Sequence, residues 1–309
     1  MILRSFLLPP QKLVLLSILI NATISTAMNF YEWFFLEEVN GVKRPAAGLF
    51  SLSHLLTVTL TLAIFLSLAV FIAKKFKNDP KKLNLVLLIS GIAIVVVQLS
   101  KNIWLLCETD NVLDCIVGNW PLYFCDVPIY IIPLAALTKG RFKQWCIDFM
   151  AICGLLMGFM GNYFAGNLYP SHAIISFSVF NALLNHSISA FVALFIWVSK
   201  LNKMEKRDIP FVIGILFTFM TIALIVDYLN IPINGSPRNF MFFFNGDGTP
   251  FTLFLNLYGG TLIPYQITIY VLQCGYIGLF YAVYYWIMGL LKKREEHKKL
   301  NAQDSTSSN

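Results

Sequence analysis

KKFKNDPKK, residues 74–82, decides how this chain folds. It places five lysines, an Asp and a Pro between two apolar runs, 48–73 and 83–107. Each run exceeds the roughly 20 apolar residues that cross a bilayer core as a helix. Such a charged hinge marks where one membrane helix ends and the next turns back. Working outward gives six more apolar runs, at 13–31, 120–138, 144–163, 172–199, 208–229 and 263–291.

The gaps between the runs alternate in charge. Arg4 and Lys12 precede the first run, and Lys139, Arg141 and Lys143 follow the fourth. Lys200, Lys203, Lys206 and Arg207 follow the sixth, and Lys292, Lys293, Arg294, Lys298 and Lys299 lie in the tail. Together with residues 74–82, nineteen of the 23 basic residues fall on one side. The other gaps hold only Lys43, Arg44 and Arg238, and Lys101 lies inside a run. The positive-inside rule then puts both termini and the basic gaps in the cytoplasm. The expected fold is an all-α polytopic bundle of about eight spans in the cell membrane. Residues 1–47 form an N-terminal helix and outer loop, 48–291 a seven-helix membrane domain, and 292–309 a basic, polar tail expected to be disordered. A rival reading makes the first run a signal peptide, since Arg4 and Lys12 precede LVLLSILI and the small residues of NATISTA. Either way the gap near residue 40 faces outward.

Composition excludes an ordinary soluble domain, because 57% of residues are hydrophobic and only 13% charged. The net charge of +7 is mostly the collar that orients the helices, so it does not point to nucleic acid. No internal repeat of the kind found in many transporters is visible. The six cysteines include no CxxC and no set with zinc-site spacing, so no metal or cofactor is expected. Cys107 and Cys115 flank an outer loop, where either a disulfide or two free thiols would fit. The outer gap 230–262 mixes turn motifs (NGSPRN, NGDGTP, LYGG) with aromatic runs, and reads as a re-entrant or lid-like loop.

Polar groups inside membrane helices are costly and usually face a bundle interior or cavity. Here they gather in the outer halves: His54, Gln98, Lys101, Asn102, Cys125, Asp126, Asn162, Asn181, Asn185, His186 and Asp227. Asp148 is the main inner exception. Ser178, Asn181, Asn185 and Ser189 form a polar stripe at helical spacing, with His186 beside it. Pro128 and Pro133 free backbone carbonyls near Cys125. This asymmetry points to a cavity opening outward. Each residue also has a plain structural role open to it: His54 as a hydrogen-bonding group, Cys125 as a small hydrophobe, Lys101 snorkelling outward. Asn181 and Asn185 could equally be interhelical glue, and Asp227 a helix cap.

Four stretches carry a resemblance: FSLSHLL (50–56), QLSKNIW (98–104), PLYFCDVPIYIIPLAALTKGRF (121–142) and NFMFFFNGDGTPF (239–251). Over 48–291 the chain resembles the YwaF-type integral membrane proteins of bacteria. That group is similar in turn to the animal lipid acyltransferase transmembrane protein 164. The resemblance implies acyl-thioester chemistry with Cys125 of the PLxxC motif as nucleophile and His186 as the matching histidine. The chain departs from many members in having Tyr123 where they carry a His two residues before the Cys.

Two functions follow. One is a lipid acyltransferase or acyl hydrolase acting on membrane phospholipids through Cys125 and His186. His54, Lys101, Asp126, Asn181, Asn185 and Asp227 would line its cavity. The other is a transporter or solute-binding protein using the same cavity. Its weakness is that the inner halves of the helices are apolar.

Overall fold

Asp79 shows how the deciding stretch turns. Its Oδ1 accepts the backbone N–H of Lys82 at 3.1 Å, and its carbonyl accepts the N–H of Leu83 at 3.0 Å. It is therefore the N-cap of the helix that follows, with Pro80 in the first helical position where a missing N–H costs nothing. The Lys82 backbone bond, with the Lys82 ammonium 3.1 Å away, holds the Asp79 carboxyl below the usual carboxylate range.

The computed structural model describes residues 30–36, 38–39, 42–108, 112–166, 168–246 and 249–307. The expected first span, 13–31, lies almost wholly outside them. Within them the chain forms α1 (Phe30–Phe35), a hairpin of β1 (Glu38–Val39) and β2 (Val42–Lys43), then α2 (Leu52–Phe76) and α3 (Pro80–Glu108). There follow α4 (Val112–Gly118), α5 (Pro128–Leu137), α6 (Gly140–Tyr163), α7 (Phe177–Ser199) and α8 (Ile209–Asn234). Short α9 (Phe251–Leu257) and long α10 (Leu262–Ser307) complete an all-α bundle. Six of these helices are long and apolar enough to cross a membrane.

The fourth expected run, 120–138, behaves differently. A single 3-10 turn, Phe124–Asp126, leads through Val127 into the ten residues of α5. The stretch 124–137 is about 21 Å long as a helix, short of the ~30 Å hydrocarbon core. Pro133 sits inside α5, and Gly91 of α3 lies so close that an added Cβ would come 3.0 Å from the Pro133 Cα. Only a residue without a side chain lets the two backbones meet there.

α6 and α7 pack closest. Gly154, Gly158 and Gly161 form a ridge of small residues along α6, facing Ala193, Ala190 and His186 of α7. A Cβ on Gly158 would lie 2.5 Å from the Ala190 Cβ, and one on Gly154 2.9 Å from that of Ala193. In lipid, where no hydrophobic force pulls helices together, such close contact drives association by dispersion. Lipid-facing positions stay apolar, as Leu60, Ile64 and Phe71 of α2 show.

The basic end is held by buried carboxylates. Asp148, fully buried, accepts the Lys203 N–H at 2.9 Å, the Met204 N–H at 3.3 Å and Gln144 Nε2 at 2.9 Å. Asp208 accepts Arg141 at 2.7 Å and the Trp145 indole at 2.9 Å. The inner exception noted in the sequence thus fastens the α7–α8 connection.

At the far end the 230–262 segment folds into the bundle. Gly235 ends α8 in the left-handed region (φ 76°), and Asn239, also left-handed (φ 64°), accepts the N–H groups of Phe244 and Asn245. Phe240, Met241 and Phe243 are buried. Tyr265 donates to the Phe242 carbonyl at 2.7 Å and Gln273 to the Met241 carbonyl at 3.1 Å. Irregular backbone at membrane depth is tolerated when side chains satisfy it in this way.

One expectation is corrected. The tail from 292, read as disordered, continues α10 as far as Ser307. Its run KKREEHKKLNAQ is rich in strong helix formers, and Lys292 faces Glu296 one turn on at 3.9 Å. A helix already nucleated in the membrane propagates through such residues at little cost.

Candidate functional site

Depth along a helix can be estimated from residue count. Cys125 lies twelve residues before Leu137 at the basic end of α5, about 18 Å away. His186 lies thirteen residues before Ser199 at the basic end of α7, about 20 Å away. Lys101 starts higher, eighteen residues beyond Leu83 or about 27 Å, but helical side chains lean toward the N-terminus. In α3 that direction runs back toward the other two, which brings the exposed Lys101 side chain down toward their level.

The contacts agree. Asp126 accepts the Tyr123 N–H on Oδ2 at 3.3 Å and Asn185 Nδ2 on Oδ1 at 3.4 Å. This bond ties the Cys125–Asp126 turn to the Asn185–His186 turn of α7. Lys101 is exposed and interacts electrostatically with Cys125, Asp126 and His186, yet forms no ion pair among the described residues. Cys125 and Asp126 are half-buried, while His186 is only 7% exposed. Two buried polar atoms here lack a hydrogen-bond partner: His186 Nδ1 and Asn185 Oδ1. Buried polar atoms are normally satisfied, so two of them on neighbouring residues mark a place prepared for something else.

His186 is also fixed from behind. An added Cβ on Gly161 would lie 2.7 Å from the ring Cε1 and closer still to Cδ2 and Nε2. The imidazole therefore lies flat on the Gly161 backbone.

Other expected site residues are employed elsewhere. His54 accepts the Phe50 N–H on Nδ1 at 2.9 Å, so its ring proton is on Nε2, which meets the Asn162 carbonyl at 3.0 Å. Both nitrogens are occupied and the residue is fully buried. It joins the site only at second hand, because Asn162 Nδ2 donates to Ser187, the neighbour of His186, at 3.3 Å. Asn181 binds α7 to α3, donating to the Val97 carbonyl at 2.6 Å and to Ser100 at 3.3 Å. Asp227 is fully buried against the backbone N–H groups of Phe240, Asn239 and Arg238, in an arrangement too open to count as formed hydrogen bonds. It supports the far-end loop. That loop in turn rests on Tyr123, whose hydroxyl donates to the Arg238 carbonyl at 3.2 Å and whose ring meets Phe240 at 5.3 Å.

The structure also has a groove of about 370 Å³ between α3, α4 and the start of α5. Neither Cys125 nor His186 lines it, although Ile129, one helical turn beyond Cys125, does. Among the described residues all six cysteines are free, Cys107 exposed and Cys115 buried. The sequence reading passed over the glycine ridge, and GLLMGFMG, residues 154–161, carried its signal in the small-residue spacing.

A bundle of membrane-crossing helices with a polar cluster of this make-up defines a multi-pass integral membrane protein. The TMEM164 family model matches residues 49–284, and the chain belongs to that family. No curated protein and no solved structure matches it.

Proposed function

We propose that this protein is a lipid acyltransferase or acyl hydrolase of the cell membrane, with both termini cytoplasmic and the Cys125 site in the outer half of the bilayer. The observation that carries the reading is the Asp126–Asn185 bond. It joins the turn bearing Cys125 to the turn bearing a buried histidine whose Nδ1 has no partner.

In the proposed reaction the Cys125 proton passes to the His186 imidazole and Sγ attacks the ester carbonyl of a membrane phospholipid. The carbon–oxygen ester bond breaks, the departing lysolipid oxygen takes the proton from His186, and the acyl group stays on Cys125 as a thioester. A lysolipid hydroxyl or water then gives its proton to His186 and attacks the thioester, and the thiol is restored. Lys101 balances the Asp126 carboxylate beside the thiol and the negative charge that develops during attack. Backbone N–H groups at the start of the 124–137 helical stretch are the nearest oxyanion donors, since Asn185 Nδ2 is directed at Asp126. The transport reading is disfavoured by the apolar inner halves of the helices, which offer a polar solute few partners on the way to the basic end.

The test is direct. Purified protein in vesicles of phospholipid bearing an alkyne-tagged acyl chain should acquire a hydroxylamine-sensitive adduct on Cys125. The Cys125→Ser variant should hold at most a hydroxylamine-resistant ester, and Cys125→Ala none. Lipid turnover that persists undiminished in Cys125→Ala would overturn the covalent route.

A further inference from the structure

The α3–α4–α5 groove has no part in the chemistry just described, yet its position relates it to the site. On α3 its wall runs from Val95 to Leu106, eleven residues or about 16 Å. That is roughly half the ~30 Å hydrocarbon core, the depth of one leaflet. Its lower end, about 18 Å from Leu83, lies level with Cys125 and His186 by the same count, and its upper end reaches the far surface. Ile129 lines it and stands one turn from Cys125 on the same helical stretch; Tyr130, also in its wall, interacts electrostatically with Asp126. The groove is mostly apolar, but the amides of Gln98, Asn102 and Asn119 are set into it. Leu99 and Ile116, which face it from α3 and α4, are each about half exposed, so the groove opens toward lipid.

We propose that this groove is the lateral path by which a glycerophospholipid from the adjoining leaflet brings its ester down to Cys125. The inference rests on the acyl-transfer reading. A phospholipid ester normally rides at the membrane surface, whereas Cys125 lies about 12 Å below the far boundary of a ~30 Å core. Something must carry a polar ester through that depth. Gln98 Nε2 donates to Asn102 Oδ1 and Asn119 Nδ2 to the Cys115 carbonyl, each at 2.9 Å, which leaves Gln98 Oε1, Asn102 Nδ2 and Asn119 Oδ1 for the ester and headgroup, while the apolar walls and the open side keep the chains in hydrocarbon.

The experiment compares two acyl donors on the intact protein in vesicles: a long-chain phospholipid, and a short-chain, water-soluble p-nitrophenyl ester that reaches Cys125 from the exposed side of Lys101. The variants Leu99→Trp and Ile116→Trp fill the groove from lipid-facing positions. Each should slow Cys125 acylation by the phospholipid at least tenfold and change acylation by the soluble ester less than twofold, which also shows that the site is folded. Equal slowing with both donors, or no slowing with either, would overturn the path. Acylation of the wild type by neither donor would instead overturn the acyl-transfer reading, and the path with it.

Discussion

Gly161→Ala should inactivate the protein while leaving it folded. The added Cβ would lie 2.7 Å from His186 Cε1 and closer to Cδ2 and Nε2. Relaxed carbon contacts are roughly 3.5–4 Å, so the ring must move by about 1 Å or the helices must part. Overpacking of this kind costs about 1–3 kcal/mol, offset by up to about 1 kcal/mol because Ala favours a helix over Gly. The net loss of stability is therefore about 0–3 kcal/mol, tolerable for a folded membrane domain. Catalysis is less forgiving, since a misplacement near 1 Å in a catalytic group costs on the order of 100-fold. The assay is the rate of thioester formation on Cys125 by mass spectrometry, beside thermal unfolding in detergent. Gly154→Ala is the control: its Cβ would meet Ala193 at 2.9 Å and the movable end of Met150 at 2.8 Å, two turns from His186. It should lose comparable stability and keep at least half the rate. Gly161→Ala with an unchanged rate, or Gly154→Ala with an equal loss, would refute the placement of His186 as the base.

His186→Ala should abolish acylation as completely as Cys125→Ala, and the double variant should be no worse than either, because a nucleophile and its base act as one unit; multiplicative losses in lipid turnover would contradict this. For orientation, in a Cys107→Ser background an impermeant thiol reagent applied to intact cells should label Ser236→Cys but not Asn78→Cys or Lys139→Cys, all three positions being exposed. Outside labelling of Asn78→Cys would reverse the assigned topology. Asp148→Ala should destabilise the basic end by about 2–5 kcal/mol in thermal unfolding, since it strands the buried N–H groups of Lys203 and Met204. A melting temperature within 1–2 °C of wild type, a far smaller shift than that loss implies, would show that water replaces the carboxylate there.

What could be read from the sequence and what could not divide along one physical line. Position along a membrane helix is fixed by residue count and by where the charges stop, so the spans, the basic end and the shared depth of Cys125 and His186 were legible. Rotation about the helix axis is fixed by partners, and a single chain does not name them. His54 and Asp227 were grouped with the site by depth alone; their azimuths send His54 to the Phe50 N–H and Asn162 carbonyl, and Asp227 to the 238–240 loop. The polar stripe of α7 divides for the same reason: Asn181 turns to α3 and Asn185 to Asp126, although they are one turn apart. The exception is informative. Gly154, Gly158 and Gly161 encode rotation in the sequence itself, because a ridge of small residues must face another backbone to serve any purpose. Once that ridge is set against α7, His186 is pinned on Gly161, and its helical neighbour Asn185 comes round to Asp126. The glycines therefore do for the azimuth what the lysines do for the depth, and the bond between Asn185 and Asp126 needs both.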